Sequence, residues 1–420
     1  MPQRKLGRGV AVVGAGMSRF GAFPEKNSRD LFVEAFLEMR ETVDRGLEPQ
    51  AIEAVYVGNF SSELFEHQGQ LAPILTEWIG LTPRPATRVE DACASGGVAL
   101  RQGIMAIASG LYDLVLVGGV EKMTSQPLEQ VTDILATAAD ELYEIPAGFT
   151  FPGFYAAMAS AYMAEYGETD RMLMEIAIKS HHNGALNDKA HLRLSIRQVM
   201  EKARARAAEK GLPAPEWQDE YEFLRDPRAN PPVAAPLRLF DCSPITDGAA
   251  VVLLAAEEIA GSFSAAPLHV IGSGQASDGA MHARPDLVSL NAARCAAREA
   301  YGMAGVQPRD IKMAEVHDCF TIAEVIAGED LGFFAPGSGA AAAQDGRTSL
   351  TGRLPVNPSG GLKAKGHPVG ASGVAQVVEI WKQMRSEAGA RQIQRDVDLA
   401  VAHNVGGTGQ TCTVHVFERR

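Results

Sequence analysis

The feature that most constrains the fold is an internal duplication. The segment Ala94-Ser-Gly-Gly-Val-Ala99 leads to the apolar run Asp113-Leu-Val-Leu-Val-Gly-Gly119, and a similar pair recurs near the end of the chain. There, Ala371-Ser-Gly-Val-Ala375 leads to Asp398-Leu-Ala-Val-Ala402, with a pair of glycines a few residues further on. Self-similarity on this scale predicts two related halves, each built from the same supersecondary units.

Short apolar strands alternate with amphipathic helices in both halves. The first half opens with a strand over 9–14 and a helix over 28–44, and the second opens alike with a strand over 268–272 and a helix over 290–301. This alternation predicts an α/β fold with mainly parallel sheets that are covered by helices on both faces. The helices that follow the repeated Ala-Ser-Gly segments are then pseudo-symmetry mates, and we expect their N-termini to converge on one site.

A long segment of different character separates the two halves. Residues 123–236 are rich in Ala and Met and are predicted to be mainly helical. The predicted domains are therefore an N-terminal half (1–122 plus 237–264), an inserted helical loop domain (123–236) and a C-terminal half (265–420). Within the insertion, the charged stretch 195–228 is interpreted as a solvated helical excursion. An altered ligand pocket, an oligomer contact and a partner surface are the alternatives for it.

Composition excludes several classes of protein. The net charge of −12 argues against a nucleic-acid binder, so an anionic substrate would require a local basic patch. Gly14-Ala-Gly16 resembles a dinucleotide-binding loop, but Arg19 stands where the third glycine belongs. No apolar run is long enough to span a membrane or to form a signal core. The five cysteines contain no Cys-x-x-Cys pair, so we expect a reducing, cytoplasmic location.

Histidines and cysteines concentrate where predicted strands end. Cys93 precedes a helix, His317-Asp-Cys319-Phe follows a strand, His367 lies in a glycine-rich loop, and His403 leads into another. Because the carboxyl ends of strands in α/β proteins form the ligand site, these residues are candidates for one active site. A helix N-terminus favours thiolate over thiol, so Cys93 is the candidate nucleophile. Only one His-x-Cys pair has close ligand spacing, so we expect no metal.

Taken together and in this order, these blocks resemble the thiolase superfamily, and the His-Asp-Cys-Phe block resembles its sterol-carrier-protein-type branch. The resemblance extends over residues 10–417. It implies a duplicated five-layered α/β/α/β/α core with an inserted, mainly helical loop domain that binds coenzyme A. It also implies an acyl-CoA C-acyltransferase that cleaves a 3-oxoacyl-CoA with CoA, or runs the reverse Claisen condensation, by ping-pong chemistry through an acyl-Cys93 thioester.

The resemblance assigns a role to each block. Cys93 corresponds to the nucleophile, and His367 to the base that takes its proton. Cys319 corresponds to the cysteine that moves a proton on or off the α-carbon of the acyl-CoA. His317 helps His367 to form a first oxyanion hole, while the backbone N–H groups of Cys93 and Val405 form a second one around the thioester oxygen. Such holes lower the barrier by several kcal/mol.

The chain departs from common thiolases in one informative way. His403 stands where they have their last catalytic cysteine, and in this branch Cys319 supplies that function instead. Ser243 corresponds to a serine near the pantetheine of CoA. The other cysteines are interpreted as structural: Cys242, Cys295 and Cys412.

The resemblance also implies which molecules the protein meets. Coenzyme A is a substrate, no cofactor is bound permanently, and a homodimer or homotetramer is expected. The alternative function is a thiolase-like subunit that is active only with a small OB-fold/zinc-ribbon partner or another synthase. An aldolase-like relative would lack the nucleophile, which Cys93 argues against, and a lipid-binding or scaffold role is disfavoured by the retained catalytic set. Acetoacetyl, long-chain and aromatic acyl groups all remain open, as does the direction of the reaction.

Overall fold

The structure is a computed structural model that describes residues 4–213 and 215–420. Within these residues, nine strands form one sheet and two short strands form a separate ladder. The strands are β1 (Val10–Met17), β2 (Ala54–Gly58), β3 (Ala86–Val89), β4 (Leu114–Glu121), β5 (Pro232–Ala234), β6 (Leu237–Arg238), β7 (Gly248–Ala256), β8 (Leu268–Ser277), β9 (Met313–Glu315), β10 (Leu399–Gly406) and β11 (Thr411–Arg419).

Helices connect these strands and cover the sheet. They are α1 (Ser28–Glu41), α2 (Ser62–Glu66), α3 (Leu71–Trp78), α4 (Ser95–Ala108), α5 (Leu128–Ala136), α6 (Phe151–Tyr166), α7 (Arg171–Ala185), α8 (Ile196–Glu209), α9 (Glu220–Arg225), α10 (Glu257–Ala260), α11 (Asn291–Ala304), α12 (Thr321–Asp330), α13 (Gly339–Gln344), α14 (Gly361–Ala364) and α15 (Ser372–Met384). Among them, none has both the length and the apolar character needed to cross a bilayer.

The sheet has the order β3-β2-β4-β7-β1-β8-β11-β10-β9 and is mixed rather than mainly parallel. Parallel pairing is confined to its two ends, where β2 pairs with β3 and β4, and β10 with β9. The central strands all pair antiparallel. The prediction of mainly parallel sheets was therefore wrong. Only a four-residue loop joins β10 to β11, which is enough for an antiparallel neighbour but not for a parallel crossover.

The sheet encloses α4 and α15, which gives five layers. One face of β1, β4 and β7 packs with α4, α15 and the inner face of β8, β10 and β11 in a single apolar cluster. The opposite face of the first half packs against α1 and α3, and that of the second half against α11 and α12. The two halves meet edge to edge where Val10 pairs with Val270 on β8. This arrangement is the five-layered core that the sequence predicts.

The duplicated helices start next to each other, as the Ala-Ser-Gly repeat predicts. A Cβ added at Gly96 would lie 2.7 Å from the carbonyl oxygen of Gly370, and one added at Gly97 would overlap the Thr413 hydroxyl. A side chain at Gly96 would therefore separate the two helix starts, and one at Gly97 would push α4 away from β10 and β11. This close approach brings the first turns of α4 and α15 to one place in the middle layer.

The segment 123–236 is mainly helical, as predicted, since α5 to α9 lie within it. Its described residues add no strand to the nine-stranded sheet, whereas β7, which follows it in sequence, returns between β4 and β1. The division into 1–122 plus 237–264, 123–236 and 265–420 stays a prediction.

Candidate active site

The predicted catalytic residues lie at helix starts around the middle layer. Cys93 lies in the turn between β3 and α4, His367 lies shortly before α15, and His317 and Cys319 lie between β9 and α12. The sulfur of Cys93 and one ring nitrogen from each of His317 and His367 lie within 4.8 Å of one another. All four side chains are buried. The structure therefore brings together residues that are more than 200 positions apart in the chain.

A strained turn presents the Cys93 thiol. Ala92, immediately before it, has a φ of 48°, a left-handed conformation that costs a non-glycine residue about 1 kcal/mol or more. The Ser95 hydroxyl donates to the carbonyl oxygen of Ala92 (2.6 Å) and accepts from the backbone N–H of Asp91 (2.9 Å). These two bonds hold the turn that carries Cys93.

The hydrogen bonds of His367 assign its tautomer. Its Nδ1 lies 2.6 Å from the hydroxyl oxygen of Ser372, and that hydroxyl uses its single proton on the carbonyl oxygen of Pro368 (2.8 Å). Ser372 can therefore only accept, so Nδ1 of His367 carries the proton. The Nε2 atom is left with a free lone pair, and it is buried without a hydrogen-bond partner among the described residues. An imidazole in this state is a proton acceptor.

The neighbouring His317 has the opposite tautomer. The amide nitrogen of Asn404, a donor, lies 3.1 Å from its Nδ1, so Nδ1 accepts and Nε2 carries the proton. The same amide nitrogen also donates to the carbonyl oxygen of Cys93 (2.9 Å), while the amide oxygen accepts from the N–H of Gly97 (3.0 Å). Asn404 thus fixes the turn, the helix and the imidazole together. The two rings meet edge to face, with centroids 5.1 Å apart.

Burial keeps these groups uncharged at neutral pH. It lowers the pKa of His367 to about 3 and, with the neighbouring imidazoles, lowers the pKa of His317 well below its usual value. Burial also raises the pKa of Cys93 to about 12, although the backbone N–H of Gly407 hydrogen-bonds to the sulfur and acts in the opposite direction. A helix N-terminus favours the thiolate, but desolvation acts more strongly in the opposite direction at Cys93. The site holds a thiol beside a neutral base.

Cys319 lies on the same side of the site. Its thiol is hydrogen-bonded to the hydroxyl of Tyr155, whose ring stacks on Phe320 with centroids 4.7 Å apart. Burial, together with the proximity of the Cys93 thiol, raises the pKa of Cys319 well above its usual value. It is therefore a proton donor rather than a thiolate in the resting site.

The backbone near the thiol includes one group that the sequence analysis did not name. Val405 is a buried residue of β10 that pairs with Cys412 on β11. The N–H that hydrogen-bonds to the Cys93 sulfur belongs to Gly407, two residues further on. Whether the Val405 N–H contributes to an oxyanion hole stays a prediction. The glycine pair in the sequence was the signal for Gly407.

His403 belongs to the same buried group. Its Nδ1 accepts from the backbone N–H of His317 at 3.5 Å, and burial lowers its pKa to about 4. Its Nε2 has no hydrogen-bond partner in the described part of the chain. A cysteine and imidazoles are also ligands that zinc accepts, so the expected absence of a metal stays a prediction.

A cavity of about 510 Å³ is connected to the catalytic residues through Ser243, which lines it. The backbone N–H of Ser243 donates to the carbonyl oxygen of Cys319 (2.9 Å). The lining is basic, and no acidic residue is found among the described residues that form it. The basic and imidazole side chains are Arg19, His181, His191, Arg193 and Lys363. This is the local basic patch that an anionic substrate would require on an acidic protein.

The structural role expected for the other three cysteines stays a prediction. Cys412 is buried in β11, and Cys295 is half-buried on α11. Cys242 also lines the cavity, where burial raises the pKa of its thiol to about 12. None of the three belongs to the group of Cys93, His317 and His367 whose possible ligand atoms lie within 4.8 Å of one another.

Comparisons with known proteins agree with this geometry. Residues 10–258 match the family described as "Thiolase, N-terminal domain", and residues 273–419 match "Thiolase C-terminal domain-like". An acetyl-CoA acetyltransferase from Methanothermobacter thermautotrophicus is 43% identical over 98% of this chain and 100% of its own length.

Two solved structures share the fold. An Ltp2-ChsH2(DUF35) aldolase superposes with a TM-score of 0.78 at 22% identity, covering 99% of both chains. Human mitochondrial 3-ketoacyl-CoA thiolase in complex with CoA superposes with a TM-score of 0.68 at 18% identity, again covering 99% of both chains.

Proposed function

The chain belongs to the thiolase family and is an acyl-CoA C-acyltransferase, and we propose how its own residues carry out the acyl transfer. The observation that carries the proposal is the meeting of one thiol with two imidazoles of opposite tautomer within 4.8 Å. His367 presents an unprotonated Nε2 and His317 a protonated one. The first is suited to take a proton and the second to stabilise an oxyanion.

Acylation begins with the thiol rather than a preformed thiolate. His367 takes the Cys93 proton on Nε2 as the sulfur attacks C3 of the 3-oxoacyl-CoA. The tetrahedral oxyanion lies against backbone N–H groups, for which we propose Cys93, Val405 and Gly407. Its collapse breaks the C2–C3 bond, so the acyl group stays on Cys93 and the electron pair of that bond moves to the departing acetyl-CoA enolate.

The enolate is stabilised and then protonated. His317 donates its Nε2–H to the enolate oxygen, and His367, now protonated on Nε2, donates as well. The Cys319 thiol transfers its proton to C2, which completes acetyl-CoA and leaves a Cys319 thiolate. Both imidazoles are buried, so their donors act in a medium where hydrogen bonds to an oxyanion are strong.

The second half-reaction returns every group to its starting state. Incoming CoA gives its thiol proton to Cys319 and attacks the acyl-Cys93 thioester. Cys93 leaves as a thiolate and takes back its proton from His367. The reverse sequence is the Claisen condensation, and the same residues serve both directions.

Coenzyme A is the substrate that we assign to the basic cavity. Its phosphates carry the negative charge that Arg19, Arg193 and Lys363 favour. Ser243 lines the same cavity and is hydrogen-bonded through its N–H to the carbonyl oxygen of Cys319. CoA then enters as a substrate, and we propose no permanently bound cofactor. The name of the 43% identical relative supports acetyl-CoA as one of the two thioesters.

Dependence on a partner is the second candidate, and it extends the same chemistry. The Ltp2-ChsH2(DUF35) aldolase, which shares the fold, contains two named components. In that version the chain is a catalytic subunit that requires a small OB-fold/zinc-ribbon protein or another synthase. We also propose a cytoplasmic homo-oligomer, for which size-exclusion chromatography with light scattering is the test.

Steady-state kinetics test the proposal. Purified chain with acetoacetyl-CoA and CoA is expected to give parallel double-reciprocal lines, because acyl-Cys93 forms before CoA attacks. Cys93→Ala should abolish turnover, whereas the matched control Cys295→Ala should not change it. Full turnover in Cys93→Ala would overturn the mechanism, and turnover that appears only after a partner is added would select the second candidate.

A further inference from the structure

A partly buried arginine near the active site has a buried guanidinium group that no described residue pairs with. Arg284 lies in the connection between β8 and α11. Each of its three guanidinium nitrogens is buried, and none has a hydrogen bond or an ion pair with any described residue. Burying a cation without a partner is costly, and such groups in native proteins are normally paired. The cost indicates that a ligand supplies the missing anion.

The guanidinium lies at the loop that follows the catalytic strand β10. A Cβ added at Gly409 would be 2.8 Å from its Nη1, and Gly409 has a φ of 108°, so only glycine fits there. Two residues earlier in the same loop, Gly407 supplies the N–H that bonds the Cys93 sulfur. The guanidinium and the nucleophile therefore lie against the same four-residue loop.

The charge of Arg284 also reaches the Cys319 side of the site. Burial raises the pKa of Tyr155, whose hydroxyl is bonded to Cys319, and the positive charge of Arg284 lowers it. The same charge lowers the pKa of Cys412, which burial also raises. Arg284 does not line the basic cavity assigned to CoA. It therefore lies near the reacting groups but apart from the phosphates, where the acyl portion of a substrate would be.

Carboxylates in the neighbourhood are engaged elsewhere. Asp330 accepts from the Ser289 hydroxyl (2.6 Å) and from the N–H of Leu290 (2.7 Å). Asp278 accepts from the N–H of Gly279 (2.8 Å), and the carboxylate of Asp91 is bonded to the Thr411 side chain. The negative charges of these three carboxylates raise the pKa of Cys412, but none of the three forms an ion pair with Arg284. Thr408, next to Gly409 in the chain, also buries its hydroxyl without a partner in the described chain.

We propose that Arg284 binds a carboxylate on the acyl portion of the substrate, so that the enzyme acts on 3-oxoacyl-CoA thioesters whose acyl chain carries an acid group. This inference rests on the proposed function and names its substrate class. A guanidinium binds a carboxylate through two parallel hydrogen bonds. A longer neutral acyl chain that reaches Arg284 would leave those buried donors unpaired, so the site disfavours it relative to the acid.

The carboxylate takes no part in the bond changes. The C2–C3 bond breaks as before, and the acidic acyl group passes first to Cys93 and then to CoA. Cleavage of such a substrate yields acetyl-CoA and the mono-CoA thioester of a dicarboxylic acid. A reaction that oxidises a 3-hydroxyacyl-CoA with the same terminal acid would supply the substrate.

The test compares two substrates of equal length on three proteins. The substrates are 3-oxoadipyl-CoA, which ends in a carboxylate, and 3-oxohexanoyl-CoA, which does not. The proteins are the wild type, Arg284→Gln and the control Arg298→Gln, whose side chain is exposed on α11. We expect the wild type to favour the acid in kcat/KM. In Arg284→Gln the ratio of the two kcat/KM values should fall about 10- to 100-fold, as expected for a lost charge-assisted hydrogen bond, and in Arg298→Gln it should stay the same.

A ratio that does not change in Arg284→Gln would overturn the inference, as would a wild type that does not favour the acid. Because both kcat/KM values are measured on the same protein, their ratio is unaffected by any loss of active enzyme through misfolding. Arg284→Lys keeps the charge and should retain most of the preference for the acid. The proposed function fails separately: if neither acetoacetyl-CoA nor 3-oxoadipyl-CoA acylates Cys93 in the wild type, the mechanism and this inference are both wrong. If either substrate does, an unchanged ratio refutes only the role of Arg284.

Discussion

Replacing Ser372 with alanine should reverse the preferred tautomer of the catalytic base. The Ser372 hydroxyl is the group that accepts from Nδ1–H of His367, at 2.6 Å. Without it, a buried N–H loses its partner, which costs about 1–3 kcal/mol. The imidazole can avoid that cost by moving its proton to Nε2, where it can no longer take the proton of Cys93. We therefore expect Ser372→Ala to slow acylation about 10- to 100-fold, which corresponds to this cost and does not exceed what general base catalysis contributes.

Single-turnover acylation by acetoacetyl-CoA is the appropriate assay, because it isolates the step in which His367 acts as a base. Ser372→Thr keeps the hydroxyl and should recover most of the rate. Ser109→Ala is the matched control, since its hydroxyl also donates to a carbonyl oxygen one turn earlier (2.8 Å) but lies away from the site. An acylation rate in Ser372→Ala equal to that of the wild type would refute the tautomer assignment. An equal loss in Ser372→Thr would indicate a packing effect instead.

Three further predictions follow from the geometry. Asn404→Ala leaves His317 Nδ1 and the Cys93 turn without their shared donor, so kcat should fall at least about 10-fold while the KM for CoA changes little. Arg193→Gln should raise the KM for CoA about 3- to 10-fold, with little effect on kcat and a smaller effect at high salt, because Arg193 is exposed at the cavity. His415 is buried with a pKa lowered by burial to about 3, so its stabilising contribution is present above pH 6.5 and is lost as the pH falls. Between pH 6 and 5, the unfolding free energy of His415→Gln should therefore change with pH by about 1.4 kcal/mol per pH unit less than that of the wild type. Denaturant titration at each pH measures it.

The duplicated pattern was sufficient to predict the architecture and the convergence of the two helix starts. Gly96 and Gly373 belong to the repeated motif, and both are sites where an added Cβ would collide with the other helix start. The strand directions were not predictable in the same way. An apolar run such as that of β7 is equally compatible with parallel and antiparallel neighbours, and the connection through 123–236 is long enough for either.

The chemistry of the site was only partly accessible from sequence. Junction residues indicated the thiol and the imidazoles, but the tautomers depend on Ser372 and Asn404, whose roles follow from three-dimensional neighbours. Asn404 bonds a carbonyl oxygen 311 positions away in the chain. The pKa of Cys93 depends on burial, which a helix-start argument does not contain. Arg284 is one of many arginines in the sequence, and only the packed structure distinguishes it by its missing partner.

The central claim is that acyl transfer proceeds through Cys93 with His367 as its base. Intact-protein mass spectrometry after brief mixing with acetoacetyl-CoA, in the absence of free CoA, tests it most directly. The account predicts a gain of one acetyl group in the wild type, located on Cys93 by peptide mapping, slow gain in His367→Ala and none in Cys93→Ala. An acetyl group that forms at the same rate in Cys93→Ala, or that maps to Cys319, would contradict it.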